Sequence, residues 1–477
     1  MLSDRPEAGP GPRRPLPSPV SRGLQARALA GLTRLAGWSW LDRFGLRSRL
    51  ERAAYHLARS GLLTAAAVSR RFAPAGDSSA APTAAPTAAL TAAPTAAPTG
   101  PHRLDRPTGT DLFDLTPTDE QQMLVAVVRE FAAERIRPAA ADADTATDVP
   151  DDLLATAVEL GIWQLNVPDA IGGVSQQRSP VTSVLVAEAL AAGDLGIAVA
   201  CLAPAAVSTA LTLWGDADQQ SRYLPSFVGA RPPRAALAIT EPRPLFDPFR
   251  LLTRAVRQPD GGYLLTGSKS MVPAGDRAEL LVIAAEVVAD GDGGPALFLV
   301  ESGSRGVRVR PEPAMGLRAA HTVRLHLDEV RLPGSARLGT EADYRDCVRL
   351  GRLGWCALAV GTGSAVLDYV IPYVNQRQAF GEPISHRQSV AFMVADLATE
   401  LDGMRLATYR AAARAEQGLD HARETALARR LCVGYGMAIG SDGVQLLGGH
   451  GFVKEHPVER WYRDLRAVAV MDGVVLV

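Results

Sequence analysis

The apolar runs LLVIAAEV at residues 280–287 and ALFLV at residues 296–300 decide the fold class of this sequence. Each run has the length of a buried strand, and the residues between them are rich in Gly, Pro and Asp, which favours a turn. Comparable runs bounded by turn residues occur at 235–240, 263–266 and 323–327. The sequence therefore predicts a β domain at residues 235–335.

Helical periodicity flanks this β domain on both sides. Apolar residues recur at helical spacing at 151–160, 180–192 and 204–214, and the same period returns after Pro333 and continues to about residue 449. The order of helices, strands and helices predicts an α+β fold. Its N-terminal helical domain is predicted at 111–234 and its C-terminal helical domain at 336–477.

The first helix of the N-terminal domain has strong boundary signals. Thr116 is predicted to be the N-cap, Pro117 occupies the first helical position, and two acidic residues follow in the first turn. Pro138 is predicted to end the helix, because an interior proline removes a backbone donor. The predicted buried stripe consists of Met123, Leu124, Val127, Val128, Phe131 and Ile136.

The N-terminal part of the chain is predicted to be separate from these domains. Residues 1–20 are Pro-rich and predicted to be disordered, residues 21–75 form an Arg-rich amphipathic helical arm, and residues 76–110 form an Ala/Pro/Thr linker. The arm has three open interpretations. It is a peripheral contact of residues 21–72 with an anionic membrane or a partner, an organelle transit peptide, or a set of helices packed on their own body.

Composition excludes several classes of protein. The 477 residues carry a formal net charge of −1, with 15 basic and 6 acidic residues in 1–110, so the body lacks the basic footprint of a nucleic-acid binder. The four cysteines lack the spacing of a metal site or a disulfide framework, so we expect no metal and a reducing, cytoplasmic location. They are Cys201, Cys347, Cys356 and Cys432. Without about 18 uninterrupted apolar residues, no membrane span is predicted.

Common catalytic signatures are missing from the sequence. It has no HExxH, no GxSxG and no Walker loop, and the stretch GTGSAV at 361–366 lacks the third glycine of a dinucleotide fingerprint. Hydrolase, nucleoside-triphosphatase and NAD-binding Rossmann functions are therefore disfavoured.

Six motifs occur in order over more than 200 residues. They are AITEP at 238–242, GGYLLTGSKSMVPAG at 261–275, GLRAAHTVRLHLDEVRLP at 316–333, RQAFG at 377–381, QLLGGHG at 445–451 and PVERWYRDLR at 457–466. Together they resemble the acyl-CoA dehydrogenase family, over about residues 112–473. The stretches GRLG at 351–354 and FVKE at 452–455 look closest to its very-long-chain branch.

The resemblance implies a FAD-dependent oxidation in fatty acid metabolism, with the cofactor between the β domain and the C-terminal helices. In this chemistry a carboxylate removes the proton α to a thioester carbonyl while the flavin accepts hydride from the β carbon, which gives a trans-2-enoyl-CoA. The resemblance also implies an acyl-CoA substrate, an acceptor such as an electron-transfer flavoprotein, and a homodimer or homotetramer.

Five residues match the family's contacts to the ADP half of FAD. Arg377 and Phe380 match a motif whose arginine reaches the pyrophosphate of a cofactor in a neighbouring subunit. Gln445, Gly448 and Gly449 match a loop where glycine allows close approach of the backbone. A surface salt bridge at Arg377 and a helix C-cap at the glycine pair are the alternatives.

Five further residues match positions near the flavin or the substrate. Thr240 lies in the AITEP motif, Gln388 stands where the family often has a flavin-side glutamine, and Arg352 aligns with an arginine that faces the CoA portion. Met271 and Pro273 replace the usual aromatic and hydroxyl pair. That replacement removes a ring that shields the flavin and a hydrogen-bond donor to it.

The candidate base is Asp472, which stands where most of the family has a glutamate. Aspartate keeps the acid but is one methylene shorter, roughly 1.5 Å of reach, and a misplacement near 1 Å can cost about 100-fold in rate. The family's alternative location for the base, in the helix that holds Gly351, offers no carboxylate. A solvated residue near a frayed end is the other interpretation of Asp472.

Further departures from the family pattern leave the activity open. Phe246 occupies the usual serine position, Val474 replaces a threonine, and the chain stops at Val477 without the final helix that normally follows. Together with Met271 and Pro273, these changes predict weaker or altered FAD binding. We expect an active acyl-CoA dehydrogenase of unspecified chain length. The alternatives are a non-catalytic partner subunit, or a flavin oxidase or monooxygenase on the same scaffold.

Overall fold

The computed structural model describes residues 115–173, 175, 177–229, 231–288 and 293–477. The predicted disordered segment at 1–20, the helical arm at 21–75 and the linker at 76–110 lie outside the described residues. Within the described residues, the predicted order of helices, strands and helices is confirmed. The boundaries predicted between the domains stay a prediction.

The α-helices before the sheet are α1 (Asp119–Phe131), α2 (Arg137–Ala146), α3 (Asp151–Glu159), α4 (Pro180–Ala191), α5 (Leu195–Trp214) and α6 (Ala217–Phe227). They pack around two apolar helices, α4 and α5. Nearly every residue of α4 and α5 is buried, and neither helix has a polar face. Such helices form the centre of a helical layer rather than its surface.

The first helix differs from its prediction at both ends. Thr118 rather than Thr116 is the N-cap, because its hydroxyl accepts the backbone N–H of Gln121 and the Gln121 side chain reaches back to Thr118. Pro138 does not end the helical path. A π-helical turn at Ala132–Ile136 precedes it, so Pro138 falls in the first turn of α2, where a missing backbone donor costs little.

The middle segment forms one sheet of eight strands, in the order β6-β7-β3-β2-β4-β5-β8, with β1 paired to β4. β1 and β2 run parallel to β4, and the other neighbouring strands are antiparallel. The strands are β1 (Ala235–Ala238), β2 (Arg254–Arg257), β3 (Tyr263–Pro273), β4 (Leu280–Val288), β5 (Gly294–Glu301), β6 (Val307–Pro311), β7 (Thr322–Leu332) and β8 (Arg337–Leu338).

β4 is apolar at successive positions because both of its faces are covered. Leu281 and Ile283 join a core inside the β domain, whereas Val282 and Ala284 join the core that includes the helices. A strand covered on both sides loses the alternation of apolar and polar residues. The run that decides the fold class is therefore the strand that connects the two cores.

Four helices and a short hairpin follow the sheet. They are α7 (Glu341–Gln376), the hairpin of β9 (Gln378–Ala379) and β10 (Glu382–Pro383), α8 (Gln388–Glu416), α9 (Ala422–Leu446) and α10 (Val458–Leu465). Among the described residues, α5 and α7 are long and apolar enough to cross a membrane by length and composition. Their most apolar windows are 89% and 61% buried in the protein, as in core helices of soluble proteins.

Candidate active site

Asp472 follows a 3-10 turn at Arg466–Ala469 and is buried, with 6% of its surface exposed. Its Oδ1 accepts a hydrogen bond of 2.8 Å from Nε of Arg352, which lies on α7. A carboxylate out of water needs such a partner. Among the described side chains only Oδ1 is engaged, so Oδ2 is left to accept a proton. Asp472 is not a solvated residue near a frayed end.

Backbone contacts from three elements fix the loop that carries Asp472. The Thr240 hydroxyl accepts the Asp472 N–H at 3.2 Å and donates to the Asp472 carbonyl at 3.1 Å. Nε1 of Trp355 donates to the Gly473 carbonyl at 2.9 Å, and Nη2 of Arg429 donates to the Met471 carbonyl at 2.8 Å. The loop is thus held between the end of β1, α7 and α9.

The residues after the base pack against a glycine face of α7. A Cβ on Gly351 would lie 3.3 Å from the Val475 carbonyl oxygen, and one on Gly354 would lie 2.9 Å from a Val475 methyl. Gly473 has φ +75° and Val474 has φ 72°, a left-handed backbone that a β-branched residue rarely adopts. The glycines of the GRLG motif therefore make room for this strained loop.

Glu241 and Lys269 form a buried ion pair that is not among the predicted site residues. Nζ of Lys269 donates to Oε1 of Glu241 at 2.9 Å and to the Ile239 carbonyl at 3.0 Å. Burial lowers the pKa of Lys269 to about 8, and the attraction of Glu241 opposes part of that fall. The pair ties the end of β1 to β3. Rarity was the available signal, because Lys269 is one of only two lysines in the chain.

Met271 lies at an irregular point of β3, with φ +56°. Its N–H donates to Oε2 of Glu312 at 2.8 Å. Burial acts to raise the pKa of Glu312, but hydrogen bonds from Met271, Arg324 and Ser270 outweigh burial and lower it. The Ser270 N–H donates to the Thr240 carbonyl at 2.9 Å. This bond connects the Met271 region to the group formed by Thr240, Arg352 and Asp472.

Two residues matched to the cofactor lie apart from that group. Pro273 lines a small cavity of about 30 Å³, whose walls include Trp163 and His321. Gln388 is the exposed first residue of α8. The structure therefore places neither Pro273 nor Gln388 against Asp472.

The five residues matched to the ADP half of FAD line one cavity of about 870 Å³. They are Arg377, Phe380, Gln445, Gly448 and Gly449. Phe380 is 96% exposed, and Cζ of Arg387 lies 5.5 Å from its ring centroid. The structure brings these residues together from the end of α7, the hairpin and the end of α9.

The composition of this cavity fits a dinucleotide. Among the described residues, the side chains of Arg377 and Gln445 have no hydrogen-bonding partner, so their donors are available. A Cβ on Gly448 or Gly449 would meet nothing within 4 Å, so a bound group can approach the backbone there. A guanidinium and an amide beside open backbone suit phosphate and base groups. These residues fit the ADP half of FAD.

Arg352 and Arg377 mark the two groups of residues; Arg352 lies within α7 and Arg377 directly follows its last residue. They are 25 residues apart, which is about 37 Å at 1.5 Å per residue. The backbones of the two groups are therefore far apart along one helix.

Three family models match the chain in sequence order. The acyl-CoA dehydrogenase N-terminal domain matches residues 118–230, the middle domain matches residues 236–330, and the C-terminal domain matches residues 344–475. The matches span the helices, the sheet and the second set of helices described above.

Individual relatives are similar over the same region. The chain is 30% identical over 363 residues to an acyl-CoA dehydrogenase of Bacillus subtilis, with 75% of this chain and 95% of the relative covered. It is 29% identical over 365 residues to a mitochondrial short/branched chain specific acyl-CoA dehydrogenase of Bos taurus, with 75% and 83% covered. Since these relatives are not of the very-long-chain type, that predicted grouping is not supported.

Solved structures share the fold. Butyryl-CoA dehydrogenase of Megasphaera elsdenii matches with a TM-score of 0.70 and 26% identity, over 76% of this chain and 96% of that chain. A structure titled as an electron transferring flavoprotein of Acidaminococcus fermentans matches with a TM-score of 0.69 and 27% identity, over 76% and 96%. The FAD complex of PigA matches with a TM-score of 0.69 and 26% identity, over 76% and 96%.

Proposed function

The chain belongs to the acyl-CoA dehydrogenase family and its cofactor is FAD, and from this premise we propose that it oxidises an acyl-CoA thioester to the trans-2-enoyl-CoA with Asp472 as the base. Family membership supports an oxidoreductase that acts on acyl-CoA. The observation that carries the proposal is the buried carboxylate of Asp472, held at 2.8 Å by Arg352.

When bound, FAD would supply the oxidation as the acceptor of hydride from the β carbon of the substrate, and Arg377, Gln445 and the backbone at Gly448 and Gly449 would hold its ADP half. Oδ2 of Asp472 accepts the proton from the α carbon, while Oδ1 stays paired with Arg352. Exclusion of water around the carboxylate strengthens its electrostatic interactions, and the guanidinium fixes its direction. The Thr240 hydroxyl is hydrogen-bonded to both the N–H and the carbonyl of Asp472, which fixes the backbone position of this short side chain.

We assign the substrate to short or branched acyl chains. Support comes from the names of the relatives, which include short/branched chain specific enzymes of Bos taurus and Dictyostelium discoideum and the butyryl-CoA dehydrogenase structure. An electron-transfer flavoprotein is the proposed acceptor, which the similarity to a structure of that title supports.

The proposed assembly is a homodimer or homotetramer in which each FAD contacts two chains. The separation of about 37 Å along α7 supports it, because Arg377 then serves the cofactor beside the Asp472 of another copy. The proposed location is the cytoplasm, with residues 21–72 as a peripheral membrane contact.

A non-catalytic partner subunit is the second candidate function. The observation in its favour is at Met271, which is matched to the flavin, because its N–H already donates to Glu312. Such a subunit would bind FAD weakly and form no enoyl product. No observation among the described residues favours an oxidase or a monooxygenase.

Product analysis tests the proposal. FAD-loaded protein is incubated with short, branched and long acyl-CoA and an artificial electron acceptor, and the thioesters are measured by mass spectrometry. We expect a short or branched substrate to lose two hydrogens. Asp142→Asn changes an exposed carboxylate on α2 and should retain activity, whereas Asp472→Asn should lose activity. Protein that holds FAD and forms no enoyl-CoA from any of these substrates contradicts the proposal.

A further inference from the structure

We propose that Phe249 is a positioning residue for the base and that it acts through Arg352. Its ring centroid lies 5.7 Å from Cζ of Arg352, and Nε of Arg352 donates to Oδ1 of Asp472 at 2.8 Å. Phe249 has this role only if Asp472 is the base, so the inference rests on the proposed function. Phe249 lies outside all six motifs quoted above.

The ring of Phe249 contacts two guanidinium groups of α7. Cζ of Arg345 lies 5.5 Å from the ring centroid, and Arg345 is itself paired with Glu341 at 2.7 Å. A guanidinium over an aromatic face is attracted by the ring quadrupole. Because Arg345 is held by Glu341, the ring has a support that does not depend on Arg352.

The loop that carries Phe249 is anchored to the same helix. The buried hydroxyl of Tyr344 donates to the Pro248 carbonyl at 2.6 Å, and the Phe249 N–H donates to Oδ1 of Asp247 at 3.0 Å. Tyr344, Arg345 and Arg352 all belong to α7, so the ring and the guanidinium groups share one rigid frame. The Phe249 ring is therefore held in a fixed position next to the guanidinium of Arg352.

Arg352 needs a support because its long side chain is 31% exposed, whereas that of Asp472 is only 8% exposed. Rotation of the guanidinium into solvent would leave the carboxylate buried without its partner. The ionisable side chains of Arg429 and Tyr344 also interact electrostatically with Asp472. Arg429 already donates to the Met471 carbonyl, so it does not replace Arg352 at Oδ1.

Phe249→Leu tests this role, because leucine keeps the apolar bulk and removes the ring face. We expect kcat for acyl-CoA oxidation to fall about three- to thirty-fold, with KM constant within about twofold, as the loss of one cation–π contact implies. In an Arg352→Gln background the same substitution should have no further effect on kcat. Phe249→Tyr keeps the ring face and should restore the wild-type kcat.

Phe246→Leu is the matched control, because it removes a ring from the same loop. That ring lies 5.4 Å from Cζ of Arg243 and makes no ring contact with Arg352. Its effect on kcat should be equal with and without the Arg352→Gln substitution. Unchanged kcat in Phe249→Leu, or a full effect of Phe249→Leu in the Arg352→Gln background, overturns the proposal.

A second measurement is independent of turnover. Urea unfolding of wild type, Phe249→Leu, Asp472→Asn and the double variant gives the coupling between two residues that no hydrogen bond or ring contact joins. We expect non-additive effects when Arg352 is present and additive effects in Arg352→Gln. If Phe249 and Asp472 are coupled but the wild-type protein shows no turnover, the proposed function is refuted and the role of Phe249 as a support of Arg352 is not. Additive effects in both backgrounds overturn the role of Phe249.

Discussion

A buried aspartate is stable where a cation or several hydrogen-bond donors accompany it. Asp472 has the first kind of support, since Arg352 donates to its carboxylate, while Thr240 is hydrogen-bonded to its backbone. The same contacts restrict the direction of a side chain that is one methylene shorter than glutamate. The surroundings of Asp472 therefore fix the position of its side chain.

Two substitutions of Asp472 should separate the effect of removing the acid from the effect of changing the length of its side chain. Asp472→Asn removes the base and should lower kcat about 10²- to 10⁴-fold. Asp472→Glu keeps the acid and lengthens the arm, so turnover should be retained or raised. Steady-state turnover with an artificial acceptor measures both. Unchanged turnover in Asp472→Asn would remove this residue from the mechanism.

The sequence identified the site residues that belong to family motifs and missed those that act through packing. Asp472, Arg352 and Thr240 could be matched by their place in the motif order. The contact of Phe249 with Arg352 joins a loop to a helix about 100 residues away, and nothing in local spacing indicates it. Glu241 and Lys269 lie inside two of the motifs, but their pairing joins segments 28 residues apart and follows only from the fold.

Among the structural elements, α7 leaves room for the loop that follows Asp472, because Gly351 and Gly354 have no side chains there. Gly354→Ala would place a methyl 2.9 Å from Val475, so the loop after Asp472 must shift. We expect the free energy of unfolding to fall by about 1–3 kcal/mol. Gly403→Ala on α8 is the control, because its methyl meets nothing within 4 Å and should change stability by at most about +1 kcal/mol. Equal urea midpoints for both variants would contradict this packing.

α10 carries a buried acid that makes stability depend on pH. Burial raises the pKa of Asp464 to about 8, and the nearby Asp194 adds to the rise. The folded protein keeps a proton that the unfolded chain releases near its ordinary pKa, so this group's contribution to stability falls as pH rises from about 4 to about 8.

Asp464→Asn should remove that dependence, because the amide oxygen can still accept the Leu317 N–H. Relative to wild type, the variant should gain about 1 kcal/mol or more in the free energy of unfolding between about pH 5 and about pH 8. Urea unfolding across that range measures it, with Asp142→Asn as the exposed control. A constant difference between Asp464→Asn and wild type would show that Asp464 is already ionised in the fold.

Most elements could be predicted from apolar periodicity, and the exceptions have a physical reason. β2 has the sequence RAVR and β6 has the sequence VRVRP. Both strands contain two arginines and only two aliphatic residues, and most of their positions are exposed. Such strands have too few apolar residues to be recognised alone, and pairing to β3 and β7 stabilises them. Pro138 was misjudged because the π-helical turn before it depends on packing.

In the whole molecule, α7 separates two groups of residues that we propose to contact one FAD. Arg352 lies beside the base and Arg377 lies beside the cavity, about 37 Å farther along. This separation supports the proposal that a second copy completes each site. The motifs implied this sharing, and the length of one helix gives it a physical reason.

Complementation between variants tests the shared site. Arg377→Ala should weaken FAD binding and Asp472→Asn should abolish turnover, so each protein alone should be inactive or nearly so. In a mixed dimer one site combines an intact Asp472 with an intact Arg377, so co-expressed chains should regain about a quarter of the wild-type activity. A mixture that regains nothing, with mixed dimers confirmed by mass spectrometry, would show that each chain completes its own site.

The role of Asp472 as the base is tested most directly by anaerobic mixing of FAD-loaded protein with one equivalent of acyl-CoA, followed through the visible absorption of the flavin. We expect wild type to lose its yellow colour as one equivalent of enoyl-CoA forms. Asp472→Asn should bind FAD and acyl-CoA and stay yellow. Bleaching of Asp472→Asn at the wild-type rate, or wild type that stays yellow with every acyl-CoA, would contradict the account.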